Sequence, residues 1–207
     1  MLVPWALSIV IAYLLGAIPS GLLIGKLGFG VDVREYGSRR TGATNVLRTL
    51  GKGAAALALA LDLGKGILAV LVARWLLPTE PWAHVLAALA ATAGHNWPIF
   101  TGFRGGRGVV VSTAAVAVLQ VVVLAVLLPL AVFVIWRTRF VSLASILCAA
   151  LAPPLMFICY LEGWAPLPYV VYTVIGAALL ILSHRDNIGR LLAGTESRIG
   201  QGVPIRG

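Results

Sequence analysis

The sequence predicts an all-α integral membrane protein: one polytopic domain over residues 1–207, with seven transmembrane helices, five full-length and two short. Three observations predict it. Hydrophobic residues make up 60% of the chain and the mean hydropathy is +0.98, whereas soluble domains run at about 45–50% apolar. The apolar residues gather into runs of bilayer-spanning length, since roughly 20 residues cross the hydrocarbon core as a helix. The charged residues are swept into short segments between those runs.

The first run, 4–28, contains Gly16, Pro19 and Gly21, and no basic leader precedes its apolar part. It reads as a retained span rather than a signal peptide. The second, 52–77, holds Asp62 and Lys65 one helical turn apart. An i,i+3 pair can neutralise itself facing the interior, either as a helix staple or to orient a cytoplasmic loop. The third, 82–100, opens beside His84 and closes on His95, Asn96, Trp97 and Pro98. Trp97 reads as an interfacial belt residue and His84 as an interfacial polar group. The runs 140–160 and 167–183 complete the set. Cys148 and Cys159 lie eleven residues apart in one run, roughly 16 Å along a helix, too far for a disulfide. They read as core packing, with no acid or His at ligand spacing.

Charge sets the topology. Segments 29–51, 101–107, 137–139 and 184–207, with Lys26 and Lys52 at their edges, hold nearly all the positive charge: Arg34, Arg39, Arg40, Arg48, Arg104, Arg107, Arg137, Arg139, Arg185, Arg190, Arg198 and Arg206. The other loops, 78–81 and 161–166, carry Glu80 and Glu162, with only Arg74 nearby. The positive-inside rule places the four basic segments in the cytoplasm. The run 108–136 must then start and finish on that side. As one helix it would reach roughly 43 Å, longer than one crossing of a ~30 Å core. Gln120 and Pro129 are candidate interruptions, so two short helices forming a hairpin are expected. The N-terminus is then outside and the C-terminus cytoplasmic. A single long tilted helix would instead put the basic tail outside.

Three of the basic segments share one chemistry. Tyr36–Gly51, "YGSRRTGATNVLRTLG", offers Gly37, Ser38, Arg39, Arg40, Thr41, Gly42, Thr44, Asn45 and Arg48. Glycine lets backbone N–H groups converge on an oxyanion, hydroxyl and amide groups bond at short range, and Arg supplies a charged fork. Thr44 or Asn45 is placed to cap a short helix. "GHNWPIFTGFRGGRGVVVS", Gly94–Ser112, sets His95 ahead of Arg104, Gly105, Gly106 and Arg107 at the start of a Val-rich helix. "SHRDNIGRLLAGTESRIG", Ser183–Gly200, presents His184, Arg185, Asn187, Arg190 and Glu196 on an extension of the last helix, with His184 and Asn187 on one face.

A solvated basic loop on anionic headgroups would explain the Arg residues but not the interleaved Gly, Ser, Thr and Asn. No nucleotide-binding G-x-x-x-x-G-K-[ST], no H-x-x-x-x-D dyad and no G-x-S-x-G elbow is present, and seven acidic residues make a two-metal carboxylate site unexpected. No metal, cofactor or nucleic-acid partner is expected; membrane lipids are. The residues alone reach a membrane protein that binds a phosphorylated substrate at the cytoplasmic face. An enzyme, or a transporter or flippase for a phosphorylated small molecule or lipid, would both fit. A transporter needs polar groups at mid-depth and repeated halves. Here no internal repeat is seen and the polar groups crowd at one face, which favours an enzyme.

The stretches "GSRRTGATNVLR", "GHNWPIFTGFRGGRGV" and "HRDNIGRLLAGTESRIG", together with "LDLGKG" at Leu61–Gly66, closely resemble the signature motifs of the bacterial membrane-integral acyl-phosphate:glycerol-3-phosphate acyltransferases. The likeness covers the whole chain in order and spacing. It implies seven membrane helices in the bacterial plasma (inner) membrane, with the active site facing the cytoplasm. It also implies transfer of a fatty acyl group from acyl phosphate to the 1-position of glycerol 3-phosphate, giving lysophosphatidic acid and phosphate. By the same resemblance Ser38, His184 and Asn187 are the candidate catalytic residues. Ser38 and the Gly37 backbone would hold the donor phosphate or the developing oxyanion. Arg48, Arg107, His184 and Asn187 would grip glycerol 3-phosphate, and Glu196 would orient a neighbour in the third motif. Thr41, Gly42, Thr44, Asn45, His95, Arg104, Gly105, Gly106 and Arg185 are the further candidate binding residues. Two positions depart from the family pattern. The first motif usually reads Gly-Ser-Gly-Asn or Gly-Ser-Lys-Asn, where this chain has Arg39-Arg40 after Ser38; the second usually reads Gly-Gly-Lys-Gly, where Arg107 replaces Lys.

Overall fold

The computed structural model describes residues 2–202, so Arg206 lies outside the described residues. Among these every regular element is helical. The first run is α1 (Leu2–Ala17) and α2 (Ser20–Phe29), which together form one 28-residue apolar segment. The break falls at Pro19, which has no N–H to continue the ladder. The Ile18 carbonyl freed there accepts a 2.8 Å hydrogen bond from Lys65 Nζ on α4 (Lys52–Leu76), and Lys65 also pairs with Asp62 at 2.8 Å. The buried pair therefore ties α4 to the discontinuity in the first span.

Small residues bring α1 against α5 (Pro81–Asn96): Ala12, Ala87 and Ala91 are fully buried. A Cβ on Gly16 would overlap the Ala91 carbonyl, and one on Gly94 the Tyr13 carbonyl. Backbones this close are a common way for helices to associate in lipid. Gly94→Val should push the helices apart at an overpacking cost of about 1–3 kcal/mol, read as a lower melting temperature in detergent. Gly64→Ala, whose Cβ meets nothing within 4 Å, should leave the melting temperature unchanged or raise it. α5 ends at Asn96, four residues short of the predicted run, because the residue before Pro98 is biased out of the helical region; a 3₁₀ turn at Ile99–Thr101 follows.

The run 108–136 is broken at Gln120 into α6 (Val109–Leu119) and α7 (Val121–Thr138). Gln120 is extended, accepts from the Val122 amide at 3.3 Å and donates to the Trp164 carbonyl at 2.8 Å. Val109 and Ile135 line the same cavity, so both ends of the hairpin return to one end of the molecule. The halves are unequal. α6 has 11 residues, but α7 has 18 and is long enough to cross a membrane, with Pro129 accommodated inside it. α5, with 16 residues, and α9, with 17, are also shorter than α7.

α8 (Val141–Leu161) and α9 (Leu167–Ser183) pack on this hairpin around buried Met156, Tyr172 and Val123. The last helix does not simply extend into the third motif. It bends by 59° at His184 into α10 (Arg185–Leu192), because the uniformly apolar stretch gives way there to Arg-Asp-Asn, which is better solvated off the span axis. His84, expected at the interface, is 4% exposed: its ring bonds the Tyr169 hydroxyl at 3.0 Å and the Leu77 carbonyl at 2.9 Å, joining three elements at the end away from the cavity. Trp97 is half-exposed, as a belt residue should be. Both cysteines are free; Cys159 packs in the core, while Cys148 lines an apolar cavity.

Candidate active site

The first motif folds as a tight loop before α3 (Ala43–Leu50). Gly42 occupies the cap position and makes no side-chain cap bond, so Thr44 and Asn45 lie inside the helix rather than capping it. Asn45 has another task. Its buried amide accepts from the Ser38 N–H at 2.9 Å and donates to the carbonyls of Val33 (2.8 Å), Arg40 (2.9 Å) and Tyr36 (3.2 Å). One side chain thereby fixes the path of the whole loop, including the positive φ at Gly37 (55°) and Arg39 (56°). Arg39 adopts a conformation that suits the Gly of the family's usual pattern better.

In the second motif the glycines serve close approach. The Gly106 amide donates to the His95 carbonyl at 3.0 Å, and a Cβ on Gly106 would fall on the His95 imidazole. A Cβ on Gly105 would meet the His95 and Asn96 carbonyls. The loop therefore lies flat on the end of α5, with Gly108 (φ 77°) turning it into α6. That path delivers Arg107 to the start of α10, where Nε donates to the Ser183 carbonyl at 3.3 Å.

The third motif is organised by Glu196. Its carboxylate accepts from Asn187 Nδ2 (2.6 Å), Ser142 Oγ (2.7 Å) and Arg190 Nε (2.7 Å). The bend at His184 lets its Nδ1–H donate to the Leu180 carbonyl at 2.9 Å. A carbonyl only accepts, so the proton sits on Nδ1 and Nε2 is left as an acceptor.

These three motifs close on one cavity of about 370 Å³. Ser38, Gly42, Thr44, Asn45, Arg48, His95, Arg107, His184, Asn187 and Glu196 line it, as does Asp62. Six expected residues do not. Gly37, Arg104 and Arg185 are exposed, and Thr41, Gly105 and Gly106 are buried in the packing of their loops. Arg185 turns outward because it sits two residues from Asn187, on the opposite side of α10. Arg104 follows the positive-φ pair Gly102–Phe103, which swings the chain outward before Gly105 returns it. Sequence reasoning missed Ser142, a lone hydroxyl at the head of an apolar run, and counted Arg40 only among the charges of the first motif; both line the cavity.

The cavity is short of negative charge. Asp62 is paired with Lys65 and Glu196 with Arg190, whereas Arg40, Arg48 and Arg107 form no ion pair among the described residues. Burial, with the charges of Arg40 and Arg190, pulls Arg107 down to about 10. Burial likewise lowers Arg48, and its Nε is buried without a partner. His184 is drawn down to about 4, mainly by burial with the Arg107 charge adding to it, and is neutral at pH 7. Burial pulls the Glu196 carboxyl up, but the bonds from Ser142, Asn187 and Arg190 outweigh it and hold it below its ordinary value. Such a cluster favours an anion. A second cavity of about 380 Å³, almost wholly apolar, lies between α6, α7, α8 and α9 and shares Leu59, Val109, Ile135, Val141 and Ser145 with the first.

An all-helical fold of membrane-spanning apolar helices, with a cation-lined cavity beside an apolar one, defines the chain as an integral membrane protein with a polar site at one end of its helices. Comparison with known proteins gives the particular family. A family model described as glycerol-3-phosphate acyltransferase matches residues 6–194. The chain is 44% identical to the glycerol-3-phosphate acyltransferase 2 of Moorella thermoacetica, over 95% of this chain and 98% of that one. It is 41% identical to the glycerol-3-phosphate acyltransferase of Rubrobacter xylanophilus, over 94% of each. Two crystal structures of PlsY, an integral membrane glycerol 3-phosphate acyltransferase, match at 36% identity over 95% of this chain and 96% of that one. The glycerol 3-phosphate form has a TM-score of 0.87 and the lysophosphatidic acid form 0.85. The chain belongs to the glycerol-3-phosphate acyltransferase family and is a membrane acyltransferase.

Proposed function

We propose that residues 1–207 form one membrane domain that moves a fatty acyl group from acyl phosphate to the 1-position of glycerol 3-phosphate. The products are lysophosphatidic acid and phosphate, in the first acylation of phospholipid synthesis. The observation that supports this most is the junction of the two cavities: unpaired guanidinium groups where phosphates would sit, and an apolar space between helices for the acyl chain. The names of the relatives support glycerol 3-phosphate as acceptor.

An acyl phosphate is already activated, so the protein has mainly to align substrates and stabilise charge. Ser38 and the backbone beside it hold the donor phosphate or the developing oxyanion. Arg48, Arg107, His184 and Asn187 hold glycerol 3-phosphate, and Glu196 fixes Asn187. The glycerol oxygen bonds to the acyl carbon, and the acyl C–O bond to phosphate breaks with its electron pair going to the phosphate. The hydroxyl proton goes to a phosphate oxygen. His184 Nε2, drawn down to about 4, accepts a hydrogen bond from the acceptor substrate rather than taking its proton.

In the membrane, α1–α2, α4, α5, α6, α7, α8 and α9 give seven crossings. With the basic loops in the cytoplasm, the N-terminus is outside and the cavity faces the cytoplasm of a bacterial plasma membrane. Detergent-purified protein should convert palmitoyl phosphate plus glycerol 3-phosphate to equal amounts of lysophosphatidic acid and phosphate, without CoA or added metal. Turnover with acyl-CoA alone would reject the donor.

A further inference from the structure

Arg40 has no structural task for its side chain. Its backbone carbonyl is held by Asn45, but its guanidinium forms no hydrogen bond or ion pair among the described residues, although it lines the polar cavity. Its charge bears on both Arg107 and His184 from across that cavity, opposing positive charge at each. An unbalanced cation beside two others is unfavourable unless an anion comes between them. Arg48 and Arg107 already supply the charge for one phosphate dianion, and His184 Nε2, an acceptor, is left for a hydroxyl of the same substrate. The third free guanidinium matches a second phosphate. It belongs to the loop of Ser38, two residues away, and the same Asn45 amide holds both backbones.

We infer that Arg40 binds the phosphate of the acyl donor, giving this chain a donor-side cation where the family's usual motif has Asn. The inference rests on the acyl-phosphate reading above. The phosphate, leaving with the C–O electron pair and the hydroxyl proton, remains on Arg40 until it departs from the site. Arg40 is thus a determinant of donor affinity and of inhibition by the phosphate product.

Arg40→Ala, Arg40→Lys and Arg40→Asn, purified in detergent, test this by steady-state kinetics with palmitoyl phosphate and glycerol 3-phosphate, and with inorganic phosphate as inhibitor. In Arg40→Ala the KM for palmitoyl phosphate and the inhibition constant of phosphate should both rise roughly 10–100-fold, the loss expected for a charge-assisted contact, while the KM for glycerol 3-phosphate stays within about two-fold. Arg40→Lys should fall between. A rise confined to glycerol 3-phosphate, or no change in either constant, would overturn the assignment. Should wild-type protein make no product from acyl phosphate, the reaction itself is misassigned. Thermal stabilisation by inorganic phosphate then tests Arg40 alone: a smaller shift in Arg40→Ala and Arg40→Asn upholds it as a phosphate ligand, and equal shifts reject it.

Discussion

Arg107→Ala should lower kcat/KM for acyl transfer by roughly 30–1000-fold, the equivalent of about 2–4 kcal/mol of lost charged hydrogen bonding at the transition state. Arg107 faces the cavity with no carboxylate partner and is kept in place by the flat Gly105–Gly106 path and the Ser183 carbonyl. Removing it also removes a buried charge held among like charges, so the melting temperature should hold or rise while activity collapses. That opposition separates a functional residue from a structural one. Arg107→Lys restores charge without the planar fork and should recover part of the rate. Steady-state kinetics and thermal denaturation on the same preparations decide it; near-wild-type turnover in a folded Arg107→Ala removes the residue from the site.

Glu196→Ala should affect both stability and rate. Three donors lose their common acceptor, and Asn187, whose Oδ1 is already without a partner, would be left with its whole buried amide unmatched. The Arg190 contact is partly screened, since that side chain is 39% exposed, so the folding cost should be on the order of 2–3 kcal/mol. With Asn187 free to rotate, kcat/KM should fall at least about tenfold, a fall of roughly 1.4 kcal/mol or more. The pH dependence has a definite sign. The Glu196 carboxyl titrates below its ordinary 4.5 in the folded protein, so its contribution is fully present above pH 4.5 and is lost as pH falls further. Glu196→Gln should flatten that acid limb of the melting profile. An unchanged profile would mean that another carboxylate governs it.

Much of this was legible because a bilayer leaves few options. The span limits at Lys52, Leu167 and Ser183 follow from where apolar runs stop, and the hairpin break at Gln120 follows from a run too long for one crossing. The site residues were legible where chemistry repeated across three segments. Direction was not. Arg104 and Arg107 are the same residue type three positions apart, and only the positive φ at Gly102 and Phe103 sends one outward. Asn45 looked like a ligand because it stands among ligands, yet its hydrogen bonds go to its own loop. Ser142 gave no signal in the sequence, because the Glu196 that needs it lies 54 residues away. The burial of His84 at that end was not legible for the same reason: its partner Tyr169 is 85 residues distant.

The shared wall between the two cavities has a kinetic consequence. Leu59, common to both, and Leu128, in the apolar one, are half-exposed on the outer helix surface, so under the proposed membrane placement and donor the apolar cavity opens sideways to the bilayer while the polar one is fed from water. The acceptor's concentration is therefore counted per volume, but the donor's is counted per amount of lipid or detergent. Diluting an assay with buffer should change saturation by glycerol 3-phosphate alone. Diluting it with micelles should change saturation by the acyl donor at constant molarity of both.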